Sequence, residues 1–229
     1  MVVTVFCSAF QLSSQAQDAY QVGTISGINI SQKLEKNWKI NCSIDSRLIG
    51  IQSYFQQNDD WDWDYRLTDI TTVASKKIQS GQKFGFGYLL RLKEGEVNHR
   101  LIQQYTIVQS LNSAKLAHRF VADQTFLEEE PMKWRVRYRI STELPFSGQQ
   151  VDSREFYFKG SNEYLNIMQA SDHDLEVRFV PLFGYMLSEN LKVEWGLDYR
   201  IKNFLYASPK HTFWGIAKCY WSLRKAKKT

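Results

Sequence analysis

Four histidines, His99, His118, His173 and His211, set the acid–base chemistry that the chain can offer. Hydrolysis through an acyl intermediate needs a serine, a histidine and an orienting acid within hydrogen-bond reach. No histidine here is followed by a serine two residues on. His118 shares a face with Leu116 and Phe120, an apolar setting, and His173 lies in a loop between Asp172 and Asp174, with weak metal binding as its alternative role. The run Asn58-Asp59-Asp60-Trp61-Asp62-Trp63-Asp64 holds enough carboxylates to attract calcium. It lacks the glycine turn and closing glutamate of a calcium loop, and reads as the acidic top of a hairpin. Gly85-Phe86-Gly87 sits inside an alternating segment, where glycine marks a bend or close packing and not a phosphate cradle. No catalytic residue, metal site or cofactor is expected.

The strongest chemical pattern is electrostatic. In Trp134-Arg135-Val136-Arg137-Tyr138-Arg139-Ile140 large apolar residues alternate with arginines. On a strand, successive side chains point to opposite faces. Arg135, Arg137 and Arg139 therefore share one face, and three guanidinium groups require water or carboxylates around them. Period two recurs elsewhere. Trp38, Ile40, Cys42 and Ile44 alternate with Lys39, Asn41, Ser43 and Asp45. Leu191, Val193, Trp195, Leu197, Tyr199 and Ile201 stand opposite Lys192, Glu194, Gly196, Asp198, Arg200 and Lys202. No helical template fits these runs.

Strand-like runs fall near 22–33, 37–49, 63–78, 82–93, 97–110, 114–126, 132–144, 153–168, 173–187, 190–205 and 211–223. They exceed the ~5–6 residues usual in soluble sheets and suit strands that cross a membrane. The fold expected is all-β: a single antiparallel transmembrane β-barrel of about 10–12 strands. An antiparallel barrel from one chain needs an even number of strands. Counting 48–56 as a separate strand gives twelve, and leaving out the weak first run gives ten. Tight polar turns at 33–37, 79–81, 111–113 and 187–190 alternate with longer or more acidic links at 56–60, 93–96, 128–131 and 170–174. Short turns on one rim and longer loops on the other suit a membrane barrel, although the link 145–152 is long where a short one is expected.

Composition narrows the class. Aromatic residues make up 14%, with 7 Trp, 12 Tyr and 14 Phe, and only 4 Pro argue against a disordered chain. Residues 1–16 read as a truncated secretory leader, apolar from Val2 to Phe10, with small Ser14 and Ala16 before a cut near Gln17. The positively charged start of such a leader is missing, and a buried first strand is the competing reading. Residues 17–223 form the barrel. The net charge of +5 owes much to Arg224, Lys225, Lys227 and Lys228 in a solvated tail, 224–229. No nucleic-acid module accompanies it, so no nucleic-acid partner is expected. No apolar run approaches the ~20 residues of a spanning helix. Cys42 and Cys219 are isolated thiols, or a bridge if closure makes the first and last strands neighbours.

In a soluble barrel the aromatic faces point inward. In a membrane barrel they meet lipid and the charges line the lumen. Mixed charge favours the second arrangement, with Arg119, Asp123, Arg135, Arg137, Arg139, Glu155, Arg178, Glu194, Asp198 and Arg200 as lumenal residues. Arginine prevails over lysine there, as suits bidentate pairing with carboxylates. Trp38, Trp63, Tyr65, Trp134, Tyr206, Trp214 and Trp221 stand toward strand ends, like an interfacial aromatic girdle. A soluble calycin-like barrel with a charged exterior is the alternative.

Leu116-Ala117-His118-Arg119-Phe120 leads to the arginine run, followed by Asn162-Glu163-Tyr164, Arg178, Gly184-Tyr185 and Glu194-Trp195-Gly196-Leu197-Asp198-Tyr199. From about Trp38 to Leu223 this order resembles the bacterial outer-membrane β-barrel family known as domain of unknown function 2490. The resemblance implies a secreted barrel in the outer membrane of a Gram-negative bacterium, and it carries over no catalytic residue. Outer-membrane lipid and the barrel-assembly machinery are the partners expected. The basic tail departs from the aromatic ending common among such barrels. A lumen of this size is near the limit that side chains can fill, so the interior should be mostly plugged. The role expected is structural or ligand-binding, with no ligand specified. A narrow small-solute or anion channel and a lipid-acting barrel enzyme are the alternatives.

Overall fold

The computed structural model describes residues 19–54, 61–111, 114–128, 130–206 and 208–223. The leader 1–16, residues 58–60 of the acidic run and the tail 224–229 lie outside the described residues. The alternating runs fold as β1 (Ala19–Lys33), β2 (Trp38–Tyr54), β3 (Asp64–Gln79), β4 (Gln82–Lys93), β5 (Glu96–Leu111), β6 (Ala114–Phe126), β7 (Lys133–Pro145), β8 (Phe156–Gln169), β9 (Asp172–Ser188), β10 (Leu191–Lys202) and β11 (Lys210–Leu223). Each pairs with its sequence neighbours, and β1 pairs with β11, so the sheet closes as a barrel.

The closure overturns the even-number expectation. The β1–β11 pair is parallel, from Ala19 opposite Lys210 to Gln32 opposite Leu223, whereas the other pairs are antiparallel. One parallel seam lets an odd number of strands close. The first run does join the wall, as one side of that seam. Residues 48–54 are not a separate strand but the second half of β2, which shifts register against β3 between Arg47 and Leu48.

One rim, called here the turn rim, carries the connections 34–37, 80–81 and 189–190, together with the longer 146–155. The opposite loop rim carries 127–132 and 203–209, but also the tight turns at 94–95 and 170–171. The division into short and long rims is thus partial. At one of those tight turns Glu94 and Gly95 both have positive φ, 50° and 86°, as the favoured two-residue hairpin turn requires.

Burial alternates along the strands with the polar face inward. The small apolar core, Ile25, Leu182, Trp214 and Ile216, packs beside the seam. Most of the other buried side chains are polar or charged, among them Asp69, Arg100, Asp123, Glu163, Glu194 and Arg200. Large apolar residues face outward and exposed, including Ile44, Phe86, Leu101, Phe120, Val136 and Phe183.

Glycine lets side chains cross neighbouring strands. Tyr157 on β8 lies over Gly184 on β9, where a Cβ would sit 2.1 Å from the tyrosine ring. Its hydroxyl donates to Glu194 Oε1 on β10 at 2.8 Å. At the seam Asp45 on β2 passes over Gly27 on β1 and meets Lys218 Nζ on β11 at 2.5 Å. This ion pair clasps three strands across the parallel joint. Gly184→Ala should therefore lower the unfolding free energy by about 1–3 kcal/mol through overpacking. Gly215→Ala, whose Cβ would meet nothing nearer than 3.9 Å, should leave it unchanged. Denaturant titration of the purified barrel, read by tryptophan fluorescence, separates the two variants.

Candidate functional site

The interior is organised around a few carboxylates, each shared by several cations. Asp123 on β6 and Glu163 on β8 are both 1% exposed. Asp123 takes Arg135 Nε at 2.6 Å, Arg137 Nη2 at 3.4 Å and Arg100 Nε at 3.5 Å. Glu163 takes Arg139 Nε at 2.6 Å, Arg178 Nη1 at 2.9 Å and Arg137 Nε at 3.6 Å. Arg137 therefore links the two hubs, and the three arginines of the alternating run are divided between them. Strand register makes this possible, because Asp123 lies opposite Arg135 and Glu163 lies opposite both Arg139 and Arg178.

Further groups continue the lattice around the wall. Arg178 Nε reaches Glu176 at 2.6 Å. Arg200 holds Asp198 in a bidentate pair, at 2.9 and 2.6 Å. Asp69 receives Arg91 through two bonds of 2.7 and 2.8 Å, and Arg47 at 3.2 Å. Nearer the turn rim Glu194 accepts from Lys159 and Lys192, each at 2.9 Å, and from Tyr157. Charged groups withdrawn from water demand such paired geometry, because desolvation otherwise exceeds the Coulomb gain.

Of the residues assigned to the lumen from sequence, Arg119, Asp123, Arg135, Arg137, Arg139, Arg178, Glu194, Asp198 and Arg200 lie on the inner face of their strands. Glu155 does not. It ends the connection before β8, where its carboxylate accepts the backbone N–H groups of Ser147 and Asp152, both at 2.8 Å. Among the girdle residues Trp38, Trp134 and Trp221 are exposed on the outer face, and Trp63 and Tyr65 are exposed at the loop-rim start of β3. Tyr206 is in the connection 203–209, donating to the His173 carbonyl at 2.8 Å. Trp214 is a correction. It is 3% exposed, faces inward over Gly23, and has Arg200 5.9 Å from its ring centroid.

Sequence reasoning missed Glu163 as a hub. Its signal was the inward set Tyr157, Lys159, Ser161, Glu163 and Leu165, obscured because Asn162 and Tyr164 on the other face are not a clear apolar pair. Tyr157 and Lys159 beside Glu194 were missed for the same reason, whereas Lys192 stands on the charged face of β10 already read from the alternation.

The histidines stay outside this lattice. His99 bonds to the Tyr88 hydroxyl, His118 Nδ1 lies 2.9 Å from Tyr138 Oη, and His211 Nδ1 lies 2.8 Å from Tyr199 Oη. All three are outward pairs between neighbouring strands. Cys42 and Cys219 are free. Cys42 faces Ile30 and Cys219 faces Ile28, on opposite flanks of β1. Two inter-strand spacings, about 9.6 Å, exceed the reach of a disulfide.

A family profile matches residues 23–206, from within β1 to the connection after β10. The chain belongs to the family described as Protein of unknown function (DUF2490). Curated proteins and solved structures give no match to it. For this DUF2490 barrel the feature to test is the Glu163 hub. Glu163→Ala leaves Arg139 and Arg178 without that carboxylate and should cost about 3–5 kcal/mol of stability. Arg119→Gln should cost none, since among the described residues Arg119 makes no ion pair or hydrogen bond. Parallel denaturant titrations of the two variants check both outcomes.

Proposed function

We propose that this DUF2490 barrel resides in the outer membrane of a Gram-negative bacterium. Its role there is structural or ligand-binding, with an interior mostly filled by the arginine–carboxylate lattice. One observation carries the reading: the barrel is inside-out relative to a soluble one. Its outer face exposes Phe86 at 55%, Ile44 at 54%, Val136 at 49% and Phe183 at 48%, while Asp123, Glu163 and Glu194 are buried. A monomer in water rarely exposes contiguous apolar surface beyond a few hundred Å². Lipid removes that penalty and takes the Trp38, Trp134 and Trp221 rings at its interfaces. The same inversion argues against a calycin-like soluble barrel.

We assign no catalytic role. His99, His118 and His211 are engaged with tyrosines on the outward face, away from the interior carboxylates. Lipid and the barrel-assembly machinery are the partners this placement requires.

Fractionation of a Gram-negative host tests the membrane reading. The protein should sediment with outer membranes and migrate faster unheated than boiled in detergent gels. A soluble protein with one mobility overturns it. In planar bilayers the filled lattice predicts no steady conductance. A steady anion-selective current that Arg137→Gln alters would instead favour the narrow-channel reading.

A further inference from the structure

The interior is not filled evenly. Toward the loop rim the inward positions are closed: Thr125, Arg135, Leu165, Glu176, Thr212 and Trp214 are all buried. Toward the turn rim the inward positions along β2, β3 and β7 are small and half-buried, among them Asn41, Ser43, Ser75 and Ser141. The interior therefore keeps a hollow along the β2–β7 wall at the turn rim, while Tyr157 and Glu194 close the β8–β10 side there.

That hollow carries uncompensated positive charge. One line of hydrogen-bond register winds through it from Lys77 to Lys83, Thr106, Arg119 and Arg139. Two links of this line set cations directly opposite each other across a strand pair, Lys77 with Lys83 and Arg119 with Arg139. Like charges in that position are destabilising. The nearby carboxylates are already engaged: Glu143 with Lys115 at 3.5 Å, Glu194 with Lys159 and Lys192, and Asp45 with Lys218. Among the described residues, Lys39, Lys77, Lys83 and Arg119 have no carboxylate within ion-pair distance. Lys39 also feels Lys83, Lys33 and Lys192, and Arg119 feels Arg139, which the more distant Glu163 partly offsets. Arg119, at an inward position of β6, is nevertheless exposed.

We propose that this hollow is a binding vestibule for a phosphate-bearing anion. Arg119 and Arg139 form its floor, and Lys39, Lys77 and Lys83 line its wall. Planar guanidinium forks match phosphate oxygens, lysines add charge without fixed geometry, and the serine and threonine hydroxyls supply further donors. A multiply charged anion relieves both like-charge pairs at once. The plug beyond it makes the vestibule a blind site and not a passage. The inference rests on the ligand-binding reading of the barrel, but its test does not depend on where the protein resides.

The full chain, purified and folded in zwitterionic detergent at low salt, is titrated calorimetrically with pyrophosphate. Saturable binding is expected, weakening as salt screens it. Arg119→Gln and Lys83→Gln should each weaken it roughly tenfold, the loss of one charge-assisted contact. Lys93→Gln, at the loop rim, should not. Repeating the titration with phosphatidylglycerol in the micelles identifies the source. Unchanged affinity means a soluble phosphate compound, and competition means a lipid headgroup. No saturable binding by the folded barrel, or full affinity in both Arg119→Gln and Lys83→Gln, overturns the proposal. The fractionation result stands or falls separately.

Discussion

Compensation of buried charge is the constraint on which the rest of this barrel depends. A closed sheet with an apolar exterior must turn its polar face inward, where guanidinium groups lose their water. Asp123 and Glu163 answer that cost, each standing between arginines contributed by neighbouring strands. The solution works only in one register. A slip of one residue would send Arg135, Arg137 and Arg139 to the outer face and Trp134, Val136 and Tyr138 into the carboxylates. Charge pairing and hydrophobic patterning thus specify the same alignment, and the glycine crossings at Gly184 and Gly27 add contacts that skip a strand.

Alternation in the sequence revealed the barrel, the faces of β7 and β10, and most of the inner arginines, because there one face is apolar and the other charged. It failed where that contrast fades. In β11 the inward Trp214 and Ile216 are as apolar as the outward Phe213 and Trp221, so period two could not say which side is which. Glu155 looked like strand because the run was extended past a turn whose N–H groups its carboxylate caps. Parity failed for a different reason. Strand direction at closure depends on a contact between the two ends of the sheet, and no local pattern records it.

The uneven filling of the interior follows from side-chain size along single strands. On β8 the inward positions stay closed to the turn rim, where Tyr157 is buried beside Glu194. On β7 the arginines give way to Ser141, and on β3 Asp69 gives way to Ser75. On β3 and β7 a plug and a hollow are therefore built by the same strand, at no cost to the outer face. The arrangement lets most of the interior maintain the wall while the turn-rim side of β2–β7 remains accessible to solvent.

The parallel seam has a consequence for the topography of the polypeptide. Antiparallel barrels with even strand numbers return both ends of the chain to one side. Here β1 starts at the loop rim and β11 finishes at the turn rim, because the two run in the same direction. The polypeptide therefore enters the wall from one side and leaves it on the other. In the bilayer proposed above, Ala19 and Leu223 would face different compartments.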